Sequence, residues 1–279
     1  MYIIKNKQIY DLKGKRIHSN TIKKQIKNIY VPPGYKNVVY VLKKDLLAIG
    51  TDKLGRKQYI YSQNHIEKRN SKRSNIIKKV NHCIQKIEKK IKYDLLSKNY
   101  LLHECALAVS LILLCNFRIG TKSYAKQYKH YGITTLLHKH LKFSTNKLII
   151  EFIGKKGVLN TCIIKDSNII KYLKKLHKNK SSQLFHITSS DVNEYLRPFH
   201  ITCKELRTWN ANKIFIECIH KYPQENTKNI LKIVASHLHN TPTVCKKSYL
   251  MKSITDDSYV KKIKSYKTKN PLKILHSLL

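Results

Sequence analysis

Acidic residues are scarce in this chain. Asp and Glu number 16 against 56 Lys and Arg, which leaves a formal charge of +40 over 279 residues. Such a polypeptide repels itself, and its partner must be a polyanion, nucleic acid above all. A membrane surface also offers anionic charge, but no basic amphipathic helix dominates the sequence and no lipidation motif occurs. Long apolar runs are missing too: the longest, Cys105 to Cys115, contains Ser110 and is too short to cross a bilayer. The N-terminal Met1-Tyr2-Ile3-Ile4-Lys5 has neither the apolar core nor the small-residue cleavage site of a secretory leader. No C-x-x-C pair exists among the seven cysteines, and their odd number and scatter read as reduced thiols in an intracellular protein. His237-x-His239 and Cys218-x-His220 lack partner pairs at ligand spacing, so no metal is expected. No internal repeat is present.

What the chain does have is enough apolar content, 42%, for real cores, and a change of pattern along its length. Residues 1–75 read as a small β-rich domain. Asn37 to Val41 is a strand, and Leu47-Ala48-Ile49-Gly50 leads through a polar turn into Arg56-Lys57-Gln58-Tyr59-Ile60-Tyr61, a hairpin. Alternation puts Arg56, Gln58 and Ile60 on one face and Lys57, Tyr59 and Tyr61 on the other. The second face suits either a DNA backbone or groove, or an aromatic core with a solvated lysine. The run His65 to Ser74 is polar and basic after Ile66, and reads as a linker at a domain junction.

From residue 76 to 279 the pattern is mostly helical. Ile76, Ile77, Val80, Ile84, Ile87 and Ile91 recur at helical spacing, and Tyr100 to Cys115 reads as a central buried helix. Arg118 follows at the point where the chain leaves that core. Two strands flank Gly154-Lys155-Lys156-Gly157, placing lysines at the tip of a ribbon. Thr202 to Tyr222 is a helix containing Arg207. An apolar helix then ends near Leu238, Thr241 and Pro242 open a short basic helix, and Tyr249 stands at its end. Two arginines can hold phosphate oxygens, a lysine can protonate a leaving oxygen, and a tyrosine can attack phosphorus. An ordinary packing tyrosine in a terminal helix is the plainer alternative for Tyr249.

The same residues resemble the small type IB DNA topoisomerases of poxviruses, large DNA viruses and bacteria. The resemblance spans nearly the whole chain. It lies in Gly50-Thr51-Asp52-Lys53-Leu54-Gly55 through Tyr61, in Arg69-Asn70-Ser71-Lys72-Arg73, in Phe117-Arg118-Ile119-Gly120 and in Tyr131-Gly132-Ile133-Thr134-Thr135-Leu136. It continues in Phe152-Ile153-Gly154-Lys155, Lys204-Glu205-Leu206-Arg207-Thr208-Trp209, and Asn240-Thr241-Pro242 through Tyr249. It implies an α+β protein with a small antiparallel β domain before a larger, mostly α-helical catalytic domain carrying a small sheet, the tyrosine recombinase/type IB topoisomerase catalytic fold. It implies Tyr249 as nucleophile, Arg118 and Arg207 on the scissile phosphate, Lys155 as general acid and Asn240 as a phosphate donor. Poxvirus enzymes resemble this pattern with His at the position of Asn240, and bacterial ones with Asn; His239 stands where the family usually has Gly. Arg56, Gln58, Tyr59, Tyr61, Arg69, Lys72, Arg73, Tyr124 and Lys156 are the expected DNA contacts. A groove-contacting lysine of the poxvirus pattern is replaced by Thr121, so that family's target sequence is not carried over. The implied partner is double-stranded DNA gripped by a monomeric clamp, with no cofactor and no membrane, inside a nucleus, a viral factory or virion, or a bacterial nucleoid. A tyrosine recombinase is the nearest rival, but it carries His where this chain has Lys204 and tends to begin with helices. A non-enzymatic basic DNA-packaging protein explains the charge and not the ordered Arg, Lys, Arg, Tyr set.

Overall fold

A computed structural model describes residues 1–53, 55–177 and 183–279. Leu54, in the turn of the expected hairpin, lies outside the described residues. The chain divides into two compact units, Met1–Lys72 and Arg73–Leu279.

In the first unit, β1 (Tyr2–Lys5), β2 (Gln8–Asp11), β3 (Lys36–Tyr40), β4 (Leu46–Thr51) and β5 (Lys57–Tyr61) form an antiparallel sheet in the order β2-β1-β3-β4-β5. Helix α1 (Asn20–Lys27) was not expected from the sequence; Ile22 and Ile26 stand four residues apart on one face, Ile26 buried and Ile22 packed against the core. Ile26 joins Ile9, Tyr40 and Ala48 in a small core, and Ile60 packs against it. The β4–β5 hairpin is present as expected, with a register shift between Leu46 and Ala48.

The basic run after Ile66, read as a linker at a domain junction, is helical. Helix α2 (Gln63–Asp94) passes through it without a break, and the boundary between the units falls inside this helix. Lys, Arg and Glu are good helix formers and need no apolar face to propagate a helix already started. From Ile77 onward the helix has its stripe, with Ile77, Val80, Ile84, Ile87 and Ile91 buried.

The second unit is built around α3 (Tyr100–Cys115). Asn99 caps it by accepting from the Leu101 and Leu102 amides, and Asn116 ends it in a left-handed conformation at φ 53°. Cys105 to Ile112 are buried on every side, which is why the helix reads as uniformly apolar rather than amphipathic. After α4 (Lys122–Tyr128), β6 (Leu141–Phe143), β7 (Leu148–Ile153) and β8 (Leu159–Ile164) make a three-stranded antiparallel sheet in that order. The helices that follow are α5 (Ser167–His177), α6 (Ser189–Leu196), α7 (Cys203–Lys221), α8 (Thr227–His237), α9 (Pro242–Ser248), α10 (Asp257–Ser265) and α11 (Pro271–Leu278). A capping box between Thr202 and Glu205 starts α7, and Thr241 accepts from the Val244 amide at the start of α9. The tail, weakly periodic in sequence, is helical because Ile274 and Leu275 of α11 are buried in the main core.

The expectation that all cysteines are reduced thiols needs correction. Cys115 at the end of α3 and Cys162 on β8 are joined by a disulfide, with Cα atoms 5.5 Å apart; Cys83, Cys105, Cys203, Cys218 and Cys245 are free. The partners are 47 residues apart and become neighbours only through packing, so spacing gave no sign of them. Among the described residues, no helix is long and apolar enough to cross a membrane, and no group of three or more His, Cys, Asp or Glu is placed to hold a metal.

Candidate active site

Arg118 is held by two glycines. Gly120 has φ +85°, and Gly132 lies so close that a Cβ on it would sit 2.6 Å from both the Arg118 carbonyl and the Gly120 nitrogen. No larger residue fits there without moving the backbone. The Ile133 amide then donates to the Arg118 carbonyl at 3.0 Å, and the Thr134 amide to Ile119 at 2.8 Å. The Tyr131 amide donates to Ile153 at 2.8 Å, which ties this loop to the end of β7. Lys155 follows directly, in the short helical turn that joins β7 to β8. Gly154 packs against the Asn160 side chain with no room for a Cβ. Lys155 lines a cavity of about 290 Å³ together with Arg118, Gly120, Tyr124 and Tyr131, its Nζ 6.0 Å from the Tyr124 ring centroid. Lys156, in the left-handed region at φ 66°, is not among the residues lining it.

Arg207 comes from the buried face of α7 and is 3% exposed. Its Nε donates to the Asn116 carbonyl at 2.6 Å and its Nη2 to the Leu238 carbonyl at 2.5 Å. Its Nη1 donates to the Tyr249 hydroxyl, and the guanidinium carbon stands 4.6 Å from the Tyr249 ring centroid. One side chain thus joins the end of α3, the end of α8 and the phenol. Burial lowers the Arg207 pKa to about 10, with Tyr249 opposing the fall, so the group stays charged at neutral pH.

Tyr249 is 8% exposed. Burial is the largest influence on its phenol and pushes the pKa up. Arg207, Arg118 and Asn240 together push it down further, so the net result lies below the ordinary value of 10.0. A phenol whose anion is favoured in this way is a better nucleophile than a free tyrosine. Its backbone is pinned as well. Asn212 of α7 donates to the Tyr249 carbonyl at 2.9 Å and accepts from the Met251 amide at 3.0 Å.

Asn240 and His239 occupy different roles. His239, at φ 50°, bonds the Cys115 carbonyl through Nε2 at 3.1 Å, and burial first of all lowers its pKa to about 4. It is a neutral structural imidazole. Asn240 accepts from Arg118 Nη2 at 2.7 Å, while its own Nδ2 is buried, makes no close hydrogen bond, and faces the Tyr249 hydroxyl near enough to favour the phenolate. A buried amide donor without a close acceptor costs free energy in the unliganded protein, and a ligand oxygen placed beside it would be bonded more fully. Tyr249, Arg207, Arg118 and Asn240 therefore converge, and Lys155 shares a cavity with Arg118.

The expected DNA contacts are placed less uniformly. Arg56 and Gln58 are both bound to Asp52, at 2.8 Å from Arg56 Nε and 2.8 Å from Gln58 Nε2. Tyr59 is 50% exposed, so its face of β5 is open rather than a core face; Tyr61 is half-buried and stacks on His65 at 4.6 Å. Arg69 and Lys72 are exposed on α2, as are Tyr124 on α4 and Lys156 at the ribbon tip. Arg73 is not. It is buried, and its guanidinium donates to the carbonyls of Lys247 and Leu250, each at 2.6 Å. Asn212 was overlooked in the sequence; a visible cue is the pair Asn210 and Asn212 on a helix otherwise buried among apolar side chains.

The sequence profile described as "Eukaryotic DNA topoisomerase I, catalytic core" matches residues 62–273. That match covers most of the chain and sets the class. The DNA topoisomerase 1B of Acanthamoeba polyphaga mimivirus is 30% identical over 261 residues, covering 81% of this chain and 77% of the relative. The DNA topoisomerase 1B of vaccinia virus (strain Copenhagen) is 30% identical over 230 residues, covering 76% and 72%. The chain belongs to the type IB DNA topoisomerase family. Among solved structures, the XerH site-specific recombinase bound to palindromic difH substrate superposes with a TM-score of 0.43 at 13% identity over 66% of this chain, which spans 52% of that recombinase.

Proposed function

We infer that this chain relaxes supercoiled duplex DNA by cutting one strand, letting it rotate and resealing it, without ATP. The Tyr249 phenol gives its proton to solvent, its oxygen attacks phosphorus, the bond from phosphorus to the 5′ oxygen breaks, and a 3′-phosphotyrosyl link forms. Lys155 supplies the proton that makes the departing oxygen a hydroxyl. Arg118 and Arg207 stabilise the charge on the non-bridging oxygens, and the buried Nδ2 of Asn240 donates to one of them. The 5′ hydroxyl reverses the step. The phosphodiester energy is kept in the tyrosyl link, so no nucleotide is consumed.

The observation that carries this reading is the buried Tyr249 phenol bonded to Arg207, with the buried Asn240 amide donor beside it favouring the phenolate. Partner and place follow as proposals: double-stranded DNA, gripped by one chain acting as a clamp through its basic and tyrosine-bearing surfaces, in whichever compartment holds that DNA. The test is plasmid relaxation in EDTA by the chain alone and by Tyr249→Phe. Relaxation by the first and none by the second is expected. Site-dependent strand exchange without relaxation supports a recombinase, and DNA retardation with neither activity supports a packaging protein.

A further inference from the structure

The carbonyls next to Tyr249 raise a problem that α9 cannot solve itself. The helix ends at Ser248, and Tyr249, at φ −124° and ψ −42°, closes it without the left-handed glycine that usually satisfies the last carbonyls. The amides of Tyr249 and Leu250 both turn back to Cys245, at 3.0 and 3.2 Å. Lys247 and Leu250 keep their carbonyls, and one buried guanidinium takes both: Arg73 Nη2 to Lys247 and Nη1 to Leu250. These residues lie on either side of the nucleophile. A planar fork with fixed donor directions constrains the backbone between its two acceptors in a way that an ammonium cannot.

We propose that Arg73 is a positioning residue for Tyr249, its guanidinium setting the backbone on both sides of the nucleophile so that the phenol meets Arg207. The residue is 8% exposed, and its two terminal guanidinium nitrogens donate to protein carbonyls. Its neighbours Arg69 and Lys72 on α2 are exposed and remain the candidates for backbone contact. Because attack requires near-ideal alignment, a misplacement of about 1 Å costs on the order of a hundredfold in rate.

The inference rests on the proposed cleavage reaction, so wild-type cleavage is the control: if the wild type forms no covalent adduct, that reading fails first. The experiment measures single-turnover adduct formation at saturating enzyme, DNA affinity and the pH profile of cleavage for Arg73→Lys. Lysine keeps the charge and much of the volume but not the fork. The expected result is a cleavage rate lower by roughly ten- to a hundredfold. Affinity should stay within about twofold, because a side chain bonded to protein carbonyls adds no phosphate contact. The pH midpoint should move to the alkaline side as the phenol loses its alignment with Arg207, a shift that loosened packing alone would not produce. Arg73→Ala supplies a second arm, in which added guanidinium ion restores cleavage and sodium at equal ionic strength does not. Wild-type cleavage by Arg73→Lys overturns the proposal. So does weaker DNA binding with an unchanged rate at saturation, which would make Arg73 a phosphate contact. Failure of both variants to fold would assign Arg73 to the fold alone and overturn it equally.

Discussion

Replacing Asn240 separates catalysis from stability in this protein. The side chain does two things: Oδ1 accepts from Arg118 at 2.7 Å, and Nδ2 is buried beside the Tyr249 hydroxyl with no close hydrogen bond. Asn240→Ala removes a hydrogen bond to a charged group, a loss of about 1.5–3 kcal/mol, and also removes a buried donor that the Tyr249 hydroxyl satisfies poorly, a gain of up to about 1–3 kcal/mol. The two nearly cancel, so the melting temperature should change by less than about 4 °C. Cleavage behaves differently. If Nδ2 bonds a phosphate oxygen only as negative charge grows there, its loss should slow the reaction by roughly ten- to a thousandfold, the range found for one such donor. Asn240→Asp keeps the acceptor for Arg118 but replaces the donor with a negative oxygen, and should be slower than the alanine variant. Asn240→His restores a donor and should retain much of the activity. The assay is covalent-adduct formation in a single turnover, with thermal melting on the same preparations. An alanine variant that cleaves normally, or one whose loss of activity matches a large fall in melting temperature, would refute the reasoning.

Lys155→Ala should be very slow on ordinary DNA and largely rescued when sulfur replaces the bridging 5′ oxygen, because a thiolate leaves without a proton; Lys156→Ala should show a modest defect and no such rescue, and rescue confined to Lys156 would move the assignment. DNA affinity should fall steeply with salt: a footprint of about six phosphates gives a log–log slope near −5, and a flat dependence would contradict binding through lysines and arginines. Acid should destabilise the fold. Burial holds His239 and His140 near pKa 4, below the ordinary 6.5, so the folded state favours their neutral forms. That contribution is complete above pH 6.5 and is lost as pH falls towards 4, and thermal melts across this window should show the decline. His239→Asn, which tolerates the left-handed backbone, should flatten it; an unchanged slope would mean that His239 does not contribute.

Elements whose burial pattern is local were legible in the sequence. The all-apolar α3, the β4–β5 hairpin and the Thr241-Pro242 start of α9 could be read because each depends on a run of neighbouring residues. Long-range pairings could not. The Cys115–Cys162 bridge, the docking of α11 and the bonds of Arg207 to Asn116 and Leu238 join residues far apart in sequence. Arg73 shows the same limit at a single residue: in a run of basic side chains nothing distinguishes the one that turns inward, and only the packing of α2 decides it. At the site, residue types were readable because phosphoryl transfer needs charge and a nucleophile. Which side chain after Leu238 turns towards Tyr249 was not, since it depends on His239 turning to Cys115.

The central claim is a covalent bond between Tyr249 and a 3′ phosphate. Trapping the adduct on labelled duplex DNA, mapping the modified peptide and identifying the free end tests it directly. The account predicts DNA attached to Tyr249 alone, through a 3′ phosphate, with a free 5′ hydroxyl released. Attachment at any other residue, or through a 5′ phosphate, would contradict it.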